Sequence, residues 1–304
     1  MRSIDTATRL CAVIGNPVEH SLSPRIHNAA FEAAGLNYVY VAFRVEDIAG
    51  CLAGMRALPS FRGLSVTIPH KMRVMAHLDA IDAIARHVGS VNTVTNDNGT
   101  LIGSTTDGPG ALRAFADAGV SLDGKRVLFV GSGGAVRAVA FAVAELTRAE
   151  QICILGRTPE RVAAIVDDLR AKTAVAVASG HLSNALTEAM ATHDVVIHGT
   201  PIGMYPNADQ TGVPAALFRQ GQVILDMVYR PYRTRLLREA EDAGCTTIAG
   251  VEMLVNQAVL QFETWTGVAA PAAVMRNAVV GELAKEQQDA NRRGQRKLGG
   301  KESA

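Results

Sequence analysis

Two patterns of apolar residues alternate along most of the chain. One is a short run rich in Val, Ile, Leu and Phe, which is typical of a buried strand. The other is a longer segment with apolar residues three or four positions apart, which predicts an amphipathic helix. The alternation predicts an α/β protein. Predicted strands cover residues 10–15, 38–43, 63–69, 91–95, 100–103, 125–130, 151–155, 194–197, 223–226 and 246–248.

Helices are predicted between these strands, together with one hairpin. Asn98 and Gly99 lie in an Asn-Asp-Asn-Gly turn between two strand-like runs, which is a strong hairpin signal. Gly35 follows a helical segment and is expected to end it. Predicted helices cover residues 25–34, 45–58, 111–118, an Ala/Val-rich segment after residue 135, and 252–265.

The pattern changes character at Gly108, where Ala-rich helices and parallel-type strands begin. We therefore predict a first domain over residues 1–107 and a second over residues 108–249. Residues 250–285 are expected to form a helical segment that packs back on the first domain. Residues 286–304 are polar, with a basic cluster at 291–297, and we expect a disordered tail there.

Composition excludes several classes of protein. The 304 residues are 48% hydrophobic and 19% charged, which is enough for two cores and excludes a disordered protein. Thirty Lys and Arg residues against 29 Asp and Glu give a net charge of +1, so we expect no nucleic acid or membrane partner. No apolar run reaches the ~18 residues of a membrane span, and no signal-peptide pattern is seen. Four scattered cysteines without C-x-x-C spacing, and histidines without metal spacing, predict no disulfide framework and no metal site. The expected location is the cytoplasm.

A glycine-rich turn follows the strand at 125–130 and precedes a helix. Glycine there permits a tight turn and lets the backbone approach a pyrophosphate at the helix N-terminus. The context predicts a Rossmann-like dinucleotide-binding unit, although a glycine-rich turn without a ligand remains an alternative. The candidate cofactor residues of this turn are Gly131, Ser132, Gly133, Gly134 and Ala135.

The next strand indicates which dinucleotide binds. An NAD site usually offers an Asp or Glu at the end of this strand, but here it is followed by Arg157, Thr158 and Arg161. Guanidinium groups recognise a phosphate through paired donors, so these residues favour NADP over NAD. The alternative is that both arginines are ordinary surface residues.

Four polar residues of the first domain follow predicted strands. Ser21 and Ser23 precede a helix, where two hydroxyls can donate to a carboxylate. Lys71 and Asp107 lie in two predicted loops. Taken singly, the serines are typical of a capping turn, and loop lysines and aspartates are usually solvated.

The order and spacing of these motifs resemble the shikimate dehydrogenase family, which includes quinate/shikimate and aminoshikimate dehydrogenases. The resemblance runs from the first strand to about Gly267. It rests on Ser21–Ser23, Val66–Lys71, Val91–Thr93, Thr106–Gly108, Gly131–Ala135, Arg157–Thr158, Asp226–Tyr229 and Gly250–Ala258.

The resemblance implies an N-terminal α/β substrate-binding domain, a Rossmann-like NADP-binding domain, and a C-terminal helix that returns to the first domain. The family reversibly oxidises the 3-hydroxyl of shikimate to 3-dehydroshikimate, a step of aromatic amino acid biosynthesis. The substrate would therefore be a small cyclic hydroxy acid. By this resemblance Lys71 is the general acid/base and Asp107 its partner, a pair that suits proton transfer during hydride transfer.

The resemblance also implies the remaining contacts. Groups for the substrate carboxylate would be Ser21, Ser23 and Tyr229, those for the ring hydroxyls Thr67, Asn92, Asp107 and Gln257, and those lining the nicotinamide Met227 and Gly250. His70 is expected to be structural. The oligomeric state is left open between monomer and homodimer.

Several positions depart from the family pattern. Ser65 and Thr105 stand where the family usually has Asn, His198–Gly199–Thr200 replaces Asn-Ala-Thr, and Gly156 replaces the Asn of the phosphate motif. A different side chain at residue 65 alters the hydroxyl pattern that the site accepts. Two alternatives therefore remain: a quinate or aminoshikimate dehydrogenase that uses NADP or NAD, and a catalytically silent cofactor-binding regulator.

Overall fold

The computed structural model of the chain describes residues 4–299, with side chains through residue 286. Helices and strands alternate throughout, as the apolar pattern predicts. The first part contains β1 (Arg9–Gly15), α1 (Ser23–Ala33), β2 (Tyr38–Arg44), α2 (Ile48–Arg56), β3 (Phe61–Val66), β4 (Ala80–Ile81), α3 (Ala83–Val88), β5 (Thr93–Asp97) and β6 (Thr100–Ser104). The second part contains α4 (Asp107–Asp117), β7 (Arg126–Val130), α5 (Gly134–Leu146), β8 (Gln151–Gly156), α6 (Pro159–Lys172), β9 (Ala176–His181), α7 (Leu182–Thr192), β10 (Val195–His198), β11 (Val223–Asp226), α8 (Arg235–Asp242), β12 (Thr246–Ala249), α9 (Gly250–Thr266) and α10 (Ala272–Gly299).

Strands β1–β6 form a mixed sheet in the order β2-β1-β3-β5-β6-β4. Strand β1 lies parallel to β2 and β3, and β5 is antiparallel to both β3 and β6. The β5–β6 hairpin turns at Asn98 and Gly99, both with positive φ, as the Asn-Gly signal predicts. The carboxyl ends of β1 and β3 lead into the segments that carry the serines and Lys71.

Strands β7–β12 form a second sheet, in the order β12-β11-β10-β7-β8-β9, in which all pairs are parallel. The chain winds from β7 outward to β9 and then returns to start again at β10. This is the strand order of the Rossmann fold, and the two halves separate between β7 and β10. Ligands of such sheets bind at the carboxyl ends of the strands beside this switch point.

Helices α4 and α9 connect the two sheets. Helix α4 packs against α9 and against α5 of the second sheet. Helix α9 runs back over the first sheet, where Trp265 donates from Nε1 to the Val94 carbonyl oxygen at 3.1 Å. A side chain at Gly250 would collide with the backbone, because its Cβ would lie 2.6 Å from the carbonyl oxygen of Asp226. The start of α9 is therefore packed directly on the end of β11.

Two differences between the predicted and observed elements concern Asp107 and the C-terminal segment. Helix α4 begins at Asp107, four residues before the predicted start, so Asp107 lies in the first turn of a helix and not in a loop. Helix α10 continues through Gly299, where a disordered tail was predicted from residue 286. Its Ala, Glu, Gln, Arg and Lys residues are good helix formers without an intervening proline, and their polarity alone did not distinguish helix from coil. Residues 300–304 lie outside the described residues.

Candidate active site

A cleft of about 1030 Å³ opens between the two sheets. Its walls come from the carboxyl ends of β1 and β3, the start of α4, the segments after β10 and β11, and one face of α9. The cleft brings together residues that are far apart in the sequence. Those predicted as site residues are Ser21, Ser23, Thr67, Lys71, Asn92, Asp107, Ala135, Met227, Tyr229, Gly250 and Gln257.

Lys71 and Asp107 meet in this cleft. The Nζ atom of Lys71 lies 2.5 Å from Oδ2 of Asp107, and their side chains are 29% and 13% exposed. Both can therefore reach a ligand while remaining largely shielded from water. Asp107 lies in the first turn of α4, where the positive end of the helix dipole stabilises a carboxylate. The adjacent His70 is buried, with Nε2 2.8 Å from the Val45 carbonyl oxygen, which supports a structural role.

Asn92 holds the Asp107 carboxylate from the other side. Its Nδ2 donates to Oδ1 of Asp107 at 2.8 Å and to Oγ1 of Thr106 at 3.0 Å. Its Oδ1 accepts from the Thr106 amide at 2.8 Å and from the Thr93 hydroxyl at 2.8 Å. These four bonds use both donors and both lone pairs of the amide. In this arrangement Asn92 positions Asp107, and a direct bond to substrate would have to displace a protein partner.

Gln261 extends the same network and was missed in the sequence. Its Nε2 donates to the Thr93 hydroxyl at 2.9 Å, and its Oε1 accepts from Ser65 at 2.8 Å. Ser65 in turn accepts from the Tyr40 hydroxyl at 2.6 Å. A chain of hydrogen bonds thus links Tyr40 to Asp107. Gln261 lies one turn after Gln257 on the same face of α9, and this spacing is the signal that would have found it.

The Ser65 hydroxyl therefore has limited capacity left. Its proton is directed to Gln261 and one lone pair is taken by Tyr40, so it can offer a ligand one acceptor position and no donor. Burial raises the pKa of the Tyr40 hydroxyl above its usual range, which keeps it a donor. His27 stacks on the Tyr40 ring with centroids 4.4 Å apart, and burial lowers the pKa of His27 to about 3. The end of the network formed by Tyr40 and His27 is thus uncharged.

Ser21 and Ser23 lie at the start of α1. The Ser23 amide donates to Ser21 Oγ at 3.3 Å, and no side chain caps the helix among the residues that the structure describes. Both hydroxyls line the cleft, together with Tyr229 from the opposite domain. The two hydroxyls lie at the positive end of the α1 dipole, which suits a carboxylate, while the Ser23 and Arg25 N–H groups already have protein acceptors. Thr67 and Gln257 also line the cleft, and Gln257 donates to the Leu254 carbonyl oxygen.

The glycine-rich turn adjoins the cleft at the switch point of the second sheet. Gly131 has φ +130°, and a Cβ on it would lie 2.7 Å from the Gly199 carbonyl oxygen. Only glycine fits there. Cβ atoms built on Gly133 and Gly134 would meet nothing within 4 Å, so the start of α5 is open, and no side chain caps it within the described part of the chain. Its free N–H groups form an anion-binding end. Ser132 lies beside Gly156 at the end of β8.

Arg157, Thr158 and Arg161 do not line the cleft but surround the start of α6. All three are exposed, and within residues 4–286 neither arginine has an ion-pair partner. Thr158 precedes Pro159, and no side chain caps this helix among the described residues. Two free guanidinium groups, a hydroxyl and a helix N-terminus make a site for a dianionic phosphate. Strand β8 ends at Gly156 without an acid.

The described residues 4–286 contain no group of three or more His, Cys, Asp or Glu side chains arranged to hold a metal ion. No helix among the described residues is both long and apolar enough to span a membrane. Cys11 and Cys153 are buried free thiols, and burial raises the pKa of Cys153 to about 11.

Three family models match successive parts of the chain. Residues 13–94 match the shikimate dehydrogenase substrate binding domain, residues 113–206 match shikimate / quinate 5-dehydrogenase, and residues 250–280 match the shikimate 5′-dehydrogenase C-terminal domain. Each match falls inside one of the segments expected from the sequence, 1–107, 108–249 and 250–285.

Individual proteins resemble the chain over nearly its whole length. Shikimate dehydrogenase (NADP(+)) of Moorella thermoacetica is 42% identical over 90% of this chain and 94% of its own. A crystal structure of a shikimate dehydrogenase in complex with NADP+ is 40% identical, with a TM-score of 0.85 over 92% of this chain and 98% of that one. Shikimate 5-dehydrogenase from Listeria monocytogenes, in complex with shikimate and NAD, is 35% identical, with a TM-score of 0.87 over 91% and 98%. The chain belongs to the shikimate dehydrogenase family.

Proposed function

We propose that this chain catalyses the reversible, NADP-dependent oxidation of the 3-hydroxyl of shikimate to 3-dehydroshikimate. The observation that carries the proposal is the Lys71–Asp107 pair, held in a cleft that also receives the glycine-rich turn of the second sheet. Relatives named shikimate dehydrogenase (NADP(+)) at about 40% identity support it. The retained amine and carboxylate argue against a silent regulatory protein, because a sensor has no need of a proton-transfer pair.

The residues of the second sheet fit NADP. The open N-terminus of α5 at Gly133 and Gly134 would receive the pyrophosphate. Arg157, Arg161 and Thr158 would hold the 2′-phosphate at the start of α6, where two guanidinium groups face the single carboxylate of Glu160 and strand β8 ends without an acid. Ala135, Met227 and Gly250, which line the cleft, would border the nicotinamide end. NAD lacks the phosphate that the arginines recognise and is the weaker ligand.

Proton transfer falls to Lys71. In the oxidation direction its neutral amine takes the proton of the substrate hydroxyl, and in the reduction direction its ammonium returns it. A bound NADP+ would supply the hydride acceptor for the carbon that carries this hydroxyl. Asp107 holds the Lys71 nitrogen at 2.5 Å and can accept from a substrate hydroxyl, while Asn92 fixes the carboxylate. The cleft shields this transfer from bulk water.

The other cleft residues orient the ring. Ser21 and Ser23 would donate to the substrate carboxylate at the start of α1, with Tyr229 completing that end from the opposite domain. Thr67 and Gln257 would bind ring hydroxyls between the carboxylate and Lys71. Ser65 offers an acceptor only, which suits a hydroxyl of the substrate. The proposed partner is this cyclic hydroxy acid, the proposed location is the cytoplasm, and the protein acts as a monomer or homodimer without nucleic acid.

The test is a set of initial rates, each measured from the absorbance of the reduced nicotinamide. Shikimate, quinate and aminoshikimate are each offered with NADP+ and with NAD+. We expect the highest kcat/KM for shikimate with NADP+, and a product that has lost two hydrogen atoms by mass spectrometry. A preference for quinate or aminoshikimate would replace the substrate assignment. Binding of NADP+ without turnover of any of the three would support a regulatory protein.

A further inference from the structure

Strands β10 and β11 end side by side with a buried pair of side chains. His198 and Asp226 are paired in register as the last residues of the two strands, and both side chains are fully buried. The Nδ1 atom of His198 lies 2.8 Å from Oδ1 of Asp226. Asp226 also accepts from the Thr234 hydroxyl at 2.6 Å and from the Val228 amide at 3.1 Å. Both carboxylate oxygens thus accept from protein donors.

This arrangement places a proton on the Nδ1 nitrogen of the His198 imidazole. An ionised carboxylate only accepts hydrogen bonds, so the proton facing Asp226 must be carried by Nδ1 of His198. In the neutral ring Nε2 is then an acceptor. The hydroxyl of Thr200 lies 2.5 Å from that Nε2, so Thr200 donates to His198. With a neutral ring, the buried carboxylate sets the direction of the whole chain, from Thr200 through His198 to Asp226.

Thr200 connects this pair to the cleft. Thr200 is one of the residues that line the cleft, and its methyl group lies beside Gly131, the first glycine of the glycine-rich turn. Its neighbour Gly199 lies next to the sulfur of Met227. The Thr200 oxygen also accepts from the Ile202 amide at 3.3 Å. With its proton committed to His198, the hydroxyl has one lone pair left to offer to a ligand.

We propose that His198 and Asp226 are positioning residues that hold the Thr200 hydroxyl as an acceptor for a hydrogen-bond donor on the nicotinamide riboside half of the cofactor. The inference rests on the proposed cofactor, NADP. The donors available there are the carboxamide N–H group and the ribose hydroxyls. A Thr200 hydroxyl that can only accept would bind these donors and not the pyrophosphate oxygens, which are themselves acceptors. The position of the ring relative to Lys71 would then be fixed in part by Thr200.

The first measurement is the tautomer of His198 in the protein without ligand, from long-range ¹H–¹⁵N NMR spectra of the imidazole. Assignment uses His198→Gln, the variant in which that signal is lost. We expect a proton on Nδ1 and none on Nε2 at neutral pH. A proton on Nε2 would overturn the proposal, because Thr200 would then present its own proton to the cleft.

The second measurement is the dissociation constant of NADPH by calorimetry. Thr200→Val removes the hydroxyl at nearly constant volume, and we expect weaker binding by roughly 3- to 10-fold, the usual worth of one neutral hydrogen bond. Thr200→Ser keeps the hydroxyl and should bind like the unmodified protein. Equal affinity of the Val and Ser variants would overturn the proposal. Failure of the unmodified protein to bind NADPH would instead refute the proposed function.

A double-variant cycle separates positioning from a merely structural role. If His198 acts through Thr200, His198→Gln combined with Thr200→Val should weaken NADPH binding no more than the stronger single variant. Additive losses would contradict the proposal. His193→Gln is the matched control, since His193 is also buried in this domain but contacts the Ala189 carbonyl oxygen away from the cleft. If His198→Gln does not fold, the affinities of the two Thr200 variants still decide.

An analogue with an acetyl group in place of the carboxamide identifies the donor. If Thr200 accepts from the carboxamide, the loss caused by Thr200→Val should vanish with the 3-acetylpyridine analogue of NADPH. If it accepts from a ribose hydroxyl, the loss should be the same with both cofactors. Both results support the proposal, and no loss with either cofactor contradicts it.

Discussion

The Nζ atom of Lys71 lies 2.5 Å from Oδ2 of Asp107, while Oδ1 of the same carboxylate is held by Asn92 at 2.8 Å. Lys71 follows the end of β3 and Asp107 begins α4, so the fold itself brings the amine and the carboxylate together. Because Asn92 occupies one carboxylate oxygen, the other is directed toward the lysine and the open cleft. This arrangement gives the proton-transfer pair one defined geometry.

Asn92 should therefore affect catalysis without binding the cofactor. In Asn92→Ala the Asp107 carboxylate loses a charge-assisted hydrogen bond, and we expect kcat to fall by about 10- to 100-fold, the scale of such a bond. The dissociation constant of NADP+ should be unchanged. Asn184→Ala, in an exposed position on α7, is the control for loss of an amide. Unchanged kcat in Asn92→Ala would contradict the positioning role.

Arg157 should determine the choice of cofactor. Its guanidinium has no ion-pair partner among the described residues, so removing it leaves the folded chain intact and takes away one of the donors proposed for the 2′-phosphate. For Arg157→Ala we expect weaker NADP+ binding by about 10- to 100-fold and little change for NAD+. Arg170→Ala, at the other end of α6, should change neither. Equal losses for both cofactors in Arg157→Ala would argue against a phosphate site.

Ser65 should contribute to stability through two buried partners. Ser65→Ala leaves the Tyr40 hydroxyl and Oε1 of Gln261 without a hydrogen-bond partner from residue 65. Such unsatisfied groups cost roughly 1–3 kcal/mol, which urea unfolding can measure. Ser183→Ala, in an exposed position on α7, should have no effect on the free energy of unfolding. A Ser65→Ala protein as stable as the unmodified one would contradict this prediction and show that Tyr40 and Gln261 find other hydrogen-bond partners.

The sequence predicts most of the elements because a buried strand needs an uninterrupted apolar run and a surface helix needs a periodic one. Strand β11 occurs at residues 223–226, as predicted, and β8 extends the predicted 151–155 by one residue. The two-domain α/β architecture follows from the same alternation. The glycine turn is found because the glycines stand between a strand and a helix.

Helix ends and hydrogen-bond partners were harder to predict. The start of α4 at Asp107 depends on packing against α9, since Gly108 and Gly110 are poor helix formers by themselves. The contact between Gln261 and Ser65 joins residues 196 positions apart, which no local pattern encodes. Asn92 was assigned to substrate from the family resemblance, whereas its four hydrogen bonds to Thr93, Thr106 and Asp107 become visible only in the folded chain.

His27 should make stability depend on pH. Burial lowers its pKa from the usual 6.5 to about 3, so between these values the unfolded chain binds a proton that the folded chain excludes. Stability therefore rises with pH through this window and is lost as pH falls, by at most about 1.4 kcal/mol per pH unit for one group. His27→Phe should remove this part of the slope in unfolding titrations. The control His181→Gln, at an exposed histidine, should keep the slope. An unchanged slope in His27→Phe would show that His27 is not its source.

The most direct test of the proton-transfer role is kcat for Lys71→Ala with shikimate and NADP+, measured beside the dissociation constant of NADP+. General acid–base catalysis typically contributes ~10²–10⁴-fold, so we predict a loss of kcat of that size with unchanged cofactor binding. Lys125→Ala, an exposed lysine before β7, should retain full activity. Near-normal turnover in Lys71→Ala would contradict the account, because the amine would then take no part in moving the proton.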